Sequence, residues 1–550
     1  MAGPAGACAH GPGPGPHPAP ASLAAAPKKV RVLLRHVFPE HEPLLGRSVG
    51  FTVKAVENPV HYLRVLEALE RFAQGDELDD SITKHLLGRK LVARNEDAEE
   101  WWPSMWSGFQ PLHMADDFHA PGISRPNASQ LRVMQAAVGQ PFSLIQGPPG
   151  TGKTATIANL VYFFRSEGLR VLLSAPSNVA VSNLCGRVSA SGLDVLWMES
   201  EAREFVSSPY KHLTFLEKAK AAFPKARAIL ANRQRPSYHE DSKETYADTK
   251  YLQQLREYYL RNAAIVAATL SSSAAFANKY DVVIIDEATQ STDPEALVAL
   301  LHGPSRVIMV GDHMQLGPVV MSDQAVAAGL NRSLFERLIR MGGKPLRLDI
   351  QYRMHPAISA FPAATFYEGT LQDGVTAAER HKPGLKFSWP DPRKPLMFYA
   401  DTGTETTSWS KVSFLNRSEA RKVIQVLGLF LQQGIKPEDI GVISPYDAQC
   451  QYIREALAQQ DTQLARACKQ VDVASVDSFQ GSERDIIILS TVRSRSVGFL
   501  SDARRLNVAI TRARFGLVIV GNVGLLSRVR QLARAWAWAW GGCACSLVEF

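Results

Sequence analysis

The chain has 550 residues, of which 45% are hydrophobic and 21% charged. That length exceeds what one core organises, so two or three packed units are expected, and the composition excludes a wholly disordered or fibrous chain. The net charge of +8 fits a polyanionic partner, although scattered surface lysines give the same sum, and no apolar run approaches the roughly 18–20 residues of a membrane span.

Residues 1–27 are rich in Gly, Pro and Ala with no acidic residue, a composition that predicts a disordered tail. Short strands are expected within 28–57, then a helix over 58–75 carried by Tyr62, Leu63, Val65, Leu66, Leu69 and Phe72. Trp101, Trp102 and Trp106 form either a packed anchor or a base-stacking platform. The cysteines, Cys8, Cys185, Cys450, Cys468, Cys543 and Cys545, include no C-x-x-C pair, so neither a zinc quartet nor a disulfide framework is visible and reduced thiols are expected.

An apolar run at Phe142, Leu144 and Ile145 leads into Gly147-Pro148-Pro149-Gly150-Thr151-Gly152-Lys153-Thr154, and a helix-like run follows. This fits the phosphate-loop pattern G-x-x-x-x-G-K-[ST] in the strand–turn–helix setting that the pattern requires. Backbone N–H groups around Gly147, Gly150, Thr151 and Gly152 would cradle a triphosphate, Lys153 would reach its β- and γ-phosphates, and Thr154 would hold Mg²⁺. Apolar strands are expected at 170–175, 264–268, 282–285 and 307–310, with a polar helical insertion at about 201–262. The strand at 282–285 ends in Asp286 and Glu287. Paired with a phosphate loop, these carboxylates fit a Mg²⁺ ligand and a general base for water.

A second alternating block begins at about 345, with strands at 440–443, 486–489 and 517–520, which predicts an α/β fold of two tandem units with a boundary near Gly342-Gly343. The end of the chain alternates Ala and Trp through Trp540; a strand and a helix turn both fit.

Four further blocks carry a resemblance. They are the runs at 311–316 (GDHMQL), 351–356 (QYRMHP), 475–483 (SVDSFQGSE) and 505–514 (RLNVAITRAR). In this order they resemble superfamily 1 helicases. The longer runs APSNVAV, DEATQSTDPE, QYRMHPAISAFP and FYEGTLQDGVTAAER resemble the branch that acts in nonsense-mediated mRNA decay. The resemblance covers roughly residues 58–88 and 120–525.

It implies two RecA-like P-loop domains, 119–341 and 342–550, after a reduced accessory or stalk region at 28–118. It implies that Gln130 reads adenine, Tyr352 stacks on the base and Glu483 meets the ribose. Gln315 becomes a γ-phosphate sensor, and Arg353 and Arg512 become arginine fingers. Nucleic acid would lie along Pro176, Ser177, Asn178, Thr269, Ser271, Pro445, Tyr446, Ser475 and Asp477. The expected activity is ATP- and Mg²⁺-dependent translocation on single-stranded RNA with unwinding, by a monomer in the cytoplasm or nucleus, alongside mRNA surveillance factors. A DNA helicase of the same superfamily, an ATP-gated RNA clamp and a signalling ATPase are the alternatives. Against the family pattern, the Cys/His-rich zinc domain and the Ser/Gln-rich C-terminal tail are absent and the β-barrel insertion is reduced. Zinc is therefore not expected, and a short paralogue and an incomplete gene model both stay open.

Overall fold

The structure, a computed structural model, describes residues 60–74, 86, 109–199, 208–233, 243–408, 413–459 and 470–527. The expected tail, the strands within 28–57, the tryptophans Trp101, Trp102 and Trp106 and the Trp-rich end lie outside these residues.

The apolar runs of the first half become a seven-stranded sheet. Its strands are β1 (Phe142–Gln146), β2 (Val171–Ala175), β3 (Leu196–Met198), β4 (Ile265–Thr269), β5 (Val282–Ile285), β6 (Arg306–Gly311) and β7 (Leu346–Arg347). They lie in the order β3-β4-β2-β5-β6-β1-β7, every pairing parallel. A parallel sheet is covered on both faces, so its strands read as continuous rather than alternating apolar runs. The two-residue period then divides each strand between two cores. Leu172, Val266 and Val283 enter one; Val171, Leu173, Ile265 and Ile284 enter the other. Helices Lys153–Ser166 and Asn178–Ser189 cover the second core, while Val60–Gln74 and Asp293–Leu300 pack together on the first.

Between β3 and β4 stand the helices Phe215–Ala222, Pro224–Arg233 and Lys243–Asn262, pinned by an edge-to-face contact of Phe215 with Tyr259 at 5.7 Å. The first sheet also runs past the expected boundary. β7 pairs with β1 (Ile145 beside Leu346, Gln146 beside Arg347), so the Gly342-Gly343 turn lies inside the first lobe.

The second lobe opens with the short parallel pair β8 (Ile350–Gln351) and β9 (Gln372–Asp373). Then come β10 (Leu396–Ala400), the antiparallel pair β11 (Thr406–Thr407) and β12 (Phe414–Leu415), β13 (Ile440–Ser444), β14 (Asp472–Ser475), β15 (Arg484–Ser490) and β16 (Ala513–Gly521). Its main sheet has the order β10-β16-β15-β13-β14, again all parallel.

Strand direction decides what the two lobes offer each other. Gly147, Asp286 and Asp312 follow the C-terminal ends of β1, β5 and β6, where an open parallel sheet binds its ligand. Glu483 and Arg512 instead precede β15 and β16, at the N-terminal edge of the second sheet.

Candidate functional site

The phosphate loop needs its glycines for space. Gly150 and Gly152 hold φ of +77° and +79°, which L side chains rarely adopt. A Cβ on Gly147 would lie 2.2 Å from Lys153 Cγ, and one on Gly150 would lie 2.6 Å from Arg353 Cβ. Gly147 N–H donates to the Gly311 carbonyl at 2.9 Å, which ties the loop to the end of β6. The helix that follows carries no side-chain cap, so its first N–H groups suit an anion. Lys153 Nζ donates to the Gly147 carbonyl at 2.8 Å, holding the ammonium across the loop.

Loop residues Gly150 to Ala155 form one wall of a cleft of about 390 Å³. Tyr352, Arg353, Glu483, Arg512 and Arg514 of the second lobe line it too, together with Glu287, Gln315 and Arg187 of the first. A larger cavity of about 660 Å³ lies under the helical insertion, between Phe215, Leu252 and Phe276, and holds none of the phosphate-binding groups.

At the end of β5, Asp286 is 5% exposed and accepts Glu287 N–H at 2.9 Å. Burial, then the neighbouring Glu287 charge, pushes its carboxyl up to about 7, against the pull of Lys153. A divalent cation relieves both effects, so Asp286 and the Thr154 hydroxyl at the helix start fit Mg²⁺. Glu287 sits at φ +49°, a left-handed conformation that is strained for a glutamate, and Gln290 Nε2 donates to its carboxylate at 3.0 Å.

The second lobe's share of the cleft is built from its backbone outward. The buried Gln351 amide oxygen accepts the N–H groups of Arg353 (2.8 Å) and Met354 (2.7 Å). Tyr352 N–H donates to the Gly150 carbonyl at 2.8 Å, and its hydroxyl accepts from Asn127 Nδ2 at 2.9 Å. Arg380 grips the same turn, donating to the carbonyls of Tyr352 and Arg353. Arg353 pairs with Glu483 through Nε and donates to the Thr511 carbonyl at 3.1 Å. Although burial works the other way, Arg353, Arg514 and Arg512 hold the Glu483 carboxyl below its usual range.

Arg512 is 2% exposed, and burial followed by repulsion from Arg353 brings its guanidinium pKa down to about 9. It donates to the Val508 carbonyl at 2.9 Å and to Gln315 Oε1 at 3.1 Å. The other end of the Gln315 amide donates to Asp312 Oδ2 at 2.7 Å.

Gln130 stands apart from this cleft wall. Its Nε2 donates to the Thr151 carbonyl at 2.9 Å, and its Oε1 accepts Asn127 N–H at 3.0 Å in a capping box. The amide thus braces the phosphate loop and the helix Ala128–Val138.

The nominated nucleic-acid residues divide. In the first lobe they follow β2 and end or follow β4, its neighbour; in the second they follow β13 and end or follow β14, also neighbours. Ser177 is exposed and caps its helix, accepting from Ala180 N–H at 3.2 Å; Pro176 and Asn178 flank it half-buried. Ser475 and Asp477 are half-buried, the latter paired with Arg505 at 3.3 Å. Ser271 is half-buried, and its carbonyl accepts from Arg64 at 3.1 Å. Thr269 and Tyr446, however, are not open surface. The Thr269 hydroxyl caps the next helical turn and donates to Ser272 Oγ at 2.8 Å. Tyr446 is 3% exposed beside Phe414 and Phe499, and its hydroxyl accepts from Arg493 at 3.1 Å. Pro445 is buried with it.

Asp312, Tyr367, Asn507, Arg380, Arg514 and Arg187 join the site only in the structure. The first five lie inside or beside the quoted runs, so position in those blocks was the available signal; Arg187 carried none.

Two AAA domain models match the chain, one over residues 125–208 and 211–323 and the other over 330–524. With the paired parallel sheets and the phosphate loop, they define the class: a tandem RecA-like P-loop protein. A regulator of nonsense transcripts 1 homolog of Arabidopsis thaliana is 42% identical over 489 residues, 87% of this chain and 38% of that protein. The ATP-dependent helicase upf1 of Schizosaccharomyces pombe is 40% identical, over 87% of this chain and 52% of that protein. The ATP-dependent helicase NAM7 of Saccharomyces cerevisiae is 38% identical, over 88% of this chain and 49% of that protein. The two AAA domain matches lie in tandem along the chain, which closely resembles these regulators of nonsense transcripts and ATP-dependent helicases. The chain spans between 38% and 52% of the length of these three relatives.

Proposed function

We propose that the protein is an ATP-driven translocase and helicase on single-stranded RNA, acting in nonsense-mediated mRNA decay. The observation that carries this reading is the division of labour across one cleft. The first lobe lines it with Lys153 and Glu287, beside the buried Asp286, and the second with Arg353 and Arg512. A site split between two lobes makes hydrolysis depend on their closure, which is what a motor requires.

In this mechanism the loop N–H groups and Lys153 bind the phosphates, Tyr352 stacks on the base and Glu483 meets the ribose. Thr154 and Asp286 would hold Mg²⁺, which would supply positive charge against the phosphates. Glu287 orients the attacking water and takes its proton. Arg353 and Arg512 stabilise the charge spread over the transferring phosphoryl group, and Gln315, hydrogen-bonded to Arg512, senses it. Reopening after hydrolysis shifts the second lobe along the strand. RNA lies over the paired edges after β2/β4 and β13/β14, where small hydroxyls and backbone N–H groups grip phosphates without reading bases.

Mechanism and family resemblance support single-stranded RNA as the substrate, mRNA surveillance factors as partners, and a monomer in the cytoplasm or nucleus. Among the described residues no helix is long and apolar enough to cross a membrane. A strand-displacement assay tests the reading. The protein is expected to separate an RNA duplex beside a single-stranded tail when ATP is present. Hydrolysis with retention of RNA but no displacement and no movement along the strand would make it a clamp.

A further inference from the structure

Arg512 and Gln315 meet across the lobes, but neither is held by that contact alone. The first lobe's Asp312, 1% exposed at the end of β6, spends its two carboxylate oxygens differently. Oδ1 accepts Met314 N–H at 3.2 Å, within its own lobe. Oδ2 accepts two donors, Gln315 Nε2 and the Tyr367 hydroxyl, each at 2.7 Å. Tyr367 belongs to the second lobe, directly after the helix Pro356–Phe366 that packs on β16 and on the helix Ala503–Ile510. Its oxygen in turn accepts Asn507 Nδ2 at 2.8 Å, and the same Nδ2 donates to the Met314 carbonyl at 2.9 Å.

The donor directions are consistent around the bridge: Asn507 to Tyr367, Tyr367 to Asp312, Gln315 to Asp312, and Arg512 to Gln315. Tyr367, Asp312 and Asn507 are each at most 1% exposed, so water does not substitute easily for a lost partner. Burial and the neighbouring Asp312 charge keep the phenol protonated and hence a donor.

Resting on the ATPase reading above, we propose that Tyr367 is a positioning residue for hydrolysis. Its hydroxyl bridges Asp312 of the first lobe to Asn507 of the second, and fixes the Gln315 amide in the rotamer that presents Arg512 to the cleft. The sharing of Asp312 Oδ2 is the key geometric point. Removing the Tyr367 donor frees that carboxylate to rotate, and Gln315 rotates with it.

The test is Tyr367→Phe in the full chain, which removes the hydroxyl and leaves the ring in its packing. With saturating RNA, kcat for ATP should fall about tenfold, the effect of one lost buried hydrogen bond, while KM and the affinity for a fluorescent ATP analogue stay unchanged. In a Gln315→Ala background the same substitution should cost almost nothing more, because the two act in series. A kcat equal to wild type, or a loss that adds in full to that of Gln315→Ala, overturns the assignment. Failure of the underlying reading looks different: the wild-type chain itself would then hydrolyse no ATP, and both conclusions would fall together.

Discussion

Glu287 concentrates the catalytic assignment in one residue. It lines the cleft, its backbone is held in a left-handed conformation, and its neighbour Asp286 is buried and protonates more readily than an ordinary carboxyl. Glu287→Gln should bind ATP as wild type does yet turn over at least ~100-fold more slowly, the usual worth of general-base assistance. A stopped-flow comparison of nucleotide binding with steady-state hydrolysis separates the two steps; near-normal turnover would remove Glu287 from the role. The arginines have a different signature. Arg353→Ala and Arg512→Ala should leave ATP binding largely intact and lower kcat by ~10³ or more, because their charge matters most when the phosphoryl group is in flight. A pure KM effect in both variants would mark them as ground-state contacts.

Among the elements, the turn after β15 shows how a buried carboxylate shapes a functional edge. Glu419, on the helix Arg417–Gln432, is fully buried and accepts Ser490 Oγ at 2.7 Å and Val492 N–H at 2.8 Å. Val492 is thereby held at φ +71°, a costly conformation for a β-branched residue, and Arg493 follows it into contact with Tyr446. Burial raises the Glu419 carboxyl from its ordinary 4.5 to about 8. The folded state therefore keeps this proton where the unfolded chain has lost it. The carboxyl costs no stability below about 4.5, and an increasing amount as pH rises from there to about 8, after which the cost is constant. Glu419→Gln should remove this one dependence. The difference in Tm between variant and wild type should shift in favour of the variant as pH is raised from 5 to 9. A difference in Tm independent of pH would contradict the buried, protonated state.

The same scale shows what a sequence can carry. The phosphate loop was legible because all its chemistry is contiguous, and the central strands because burial on both faces leaves an unbroken apolar run. β7 was not legible: two residues after a Gly-Gly turn give no pattern, and only pairing with β1 makes them a strand. Tyr446 looks like a surface aromatic until Phe414, Arg493 and Phe499, distant in sequence, close over it. The Thr269 hydroxyl and the Gln130 amide oxygen each cap a helix start, and the Gln130 amide nitrogen holds the Thr151 carbonyl, contacts that residue type alone does not signal. The Asp312–Tyr367–Asn507 bridge is tertiary throughout, so none of its members signals its partner locally.

For the molecule as a whole, a motor requires that polymer binding and ATP hydrolysis communicate through the two lobes. The first sheet gives its C-terminal edge to the nucleotide and the second its N-terminal edge, while the nominated polymer contacts lie at C-terminal edges of both. A strand laid across both lobes thus bears on the same closure that brings Arg353 and Arg512 toward Lys153. The most direct measurement is the steady-state ATPase rate of the chain with poly-U RNA, with the matching DNA, and with neither. A low basal rate that rises several-fold with RNA, and less with DNA, is expected. A rate unchanged by RNA would contradict it, and would leave a P-loop ATPase whose hydrolysis is not coupled to nucleic acid.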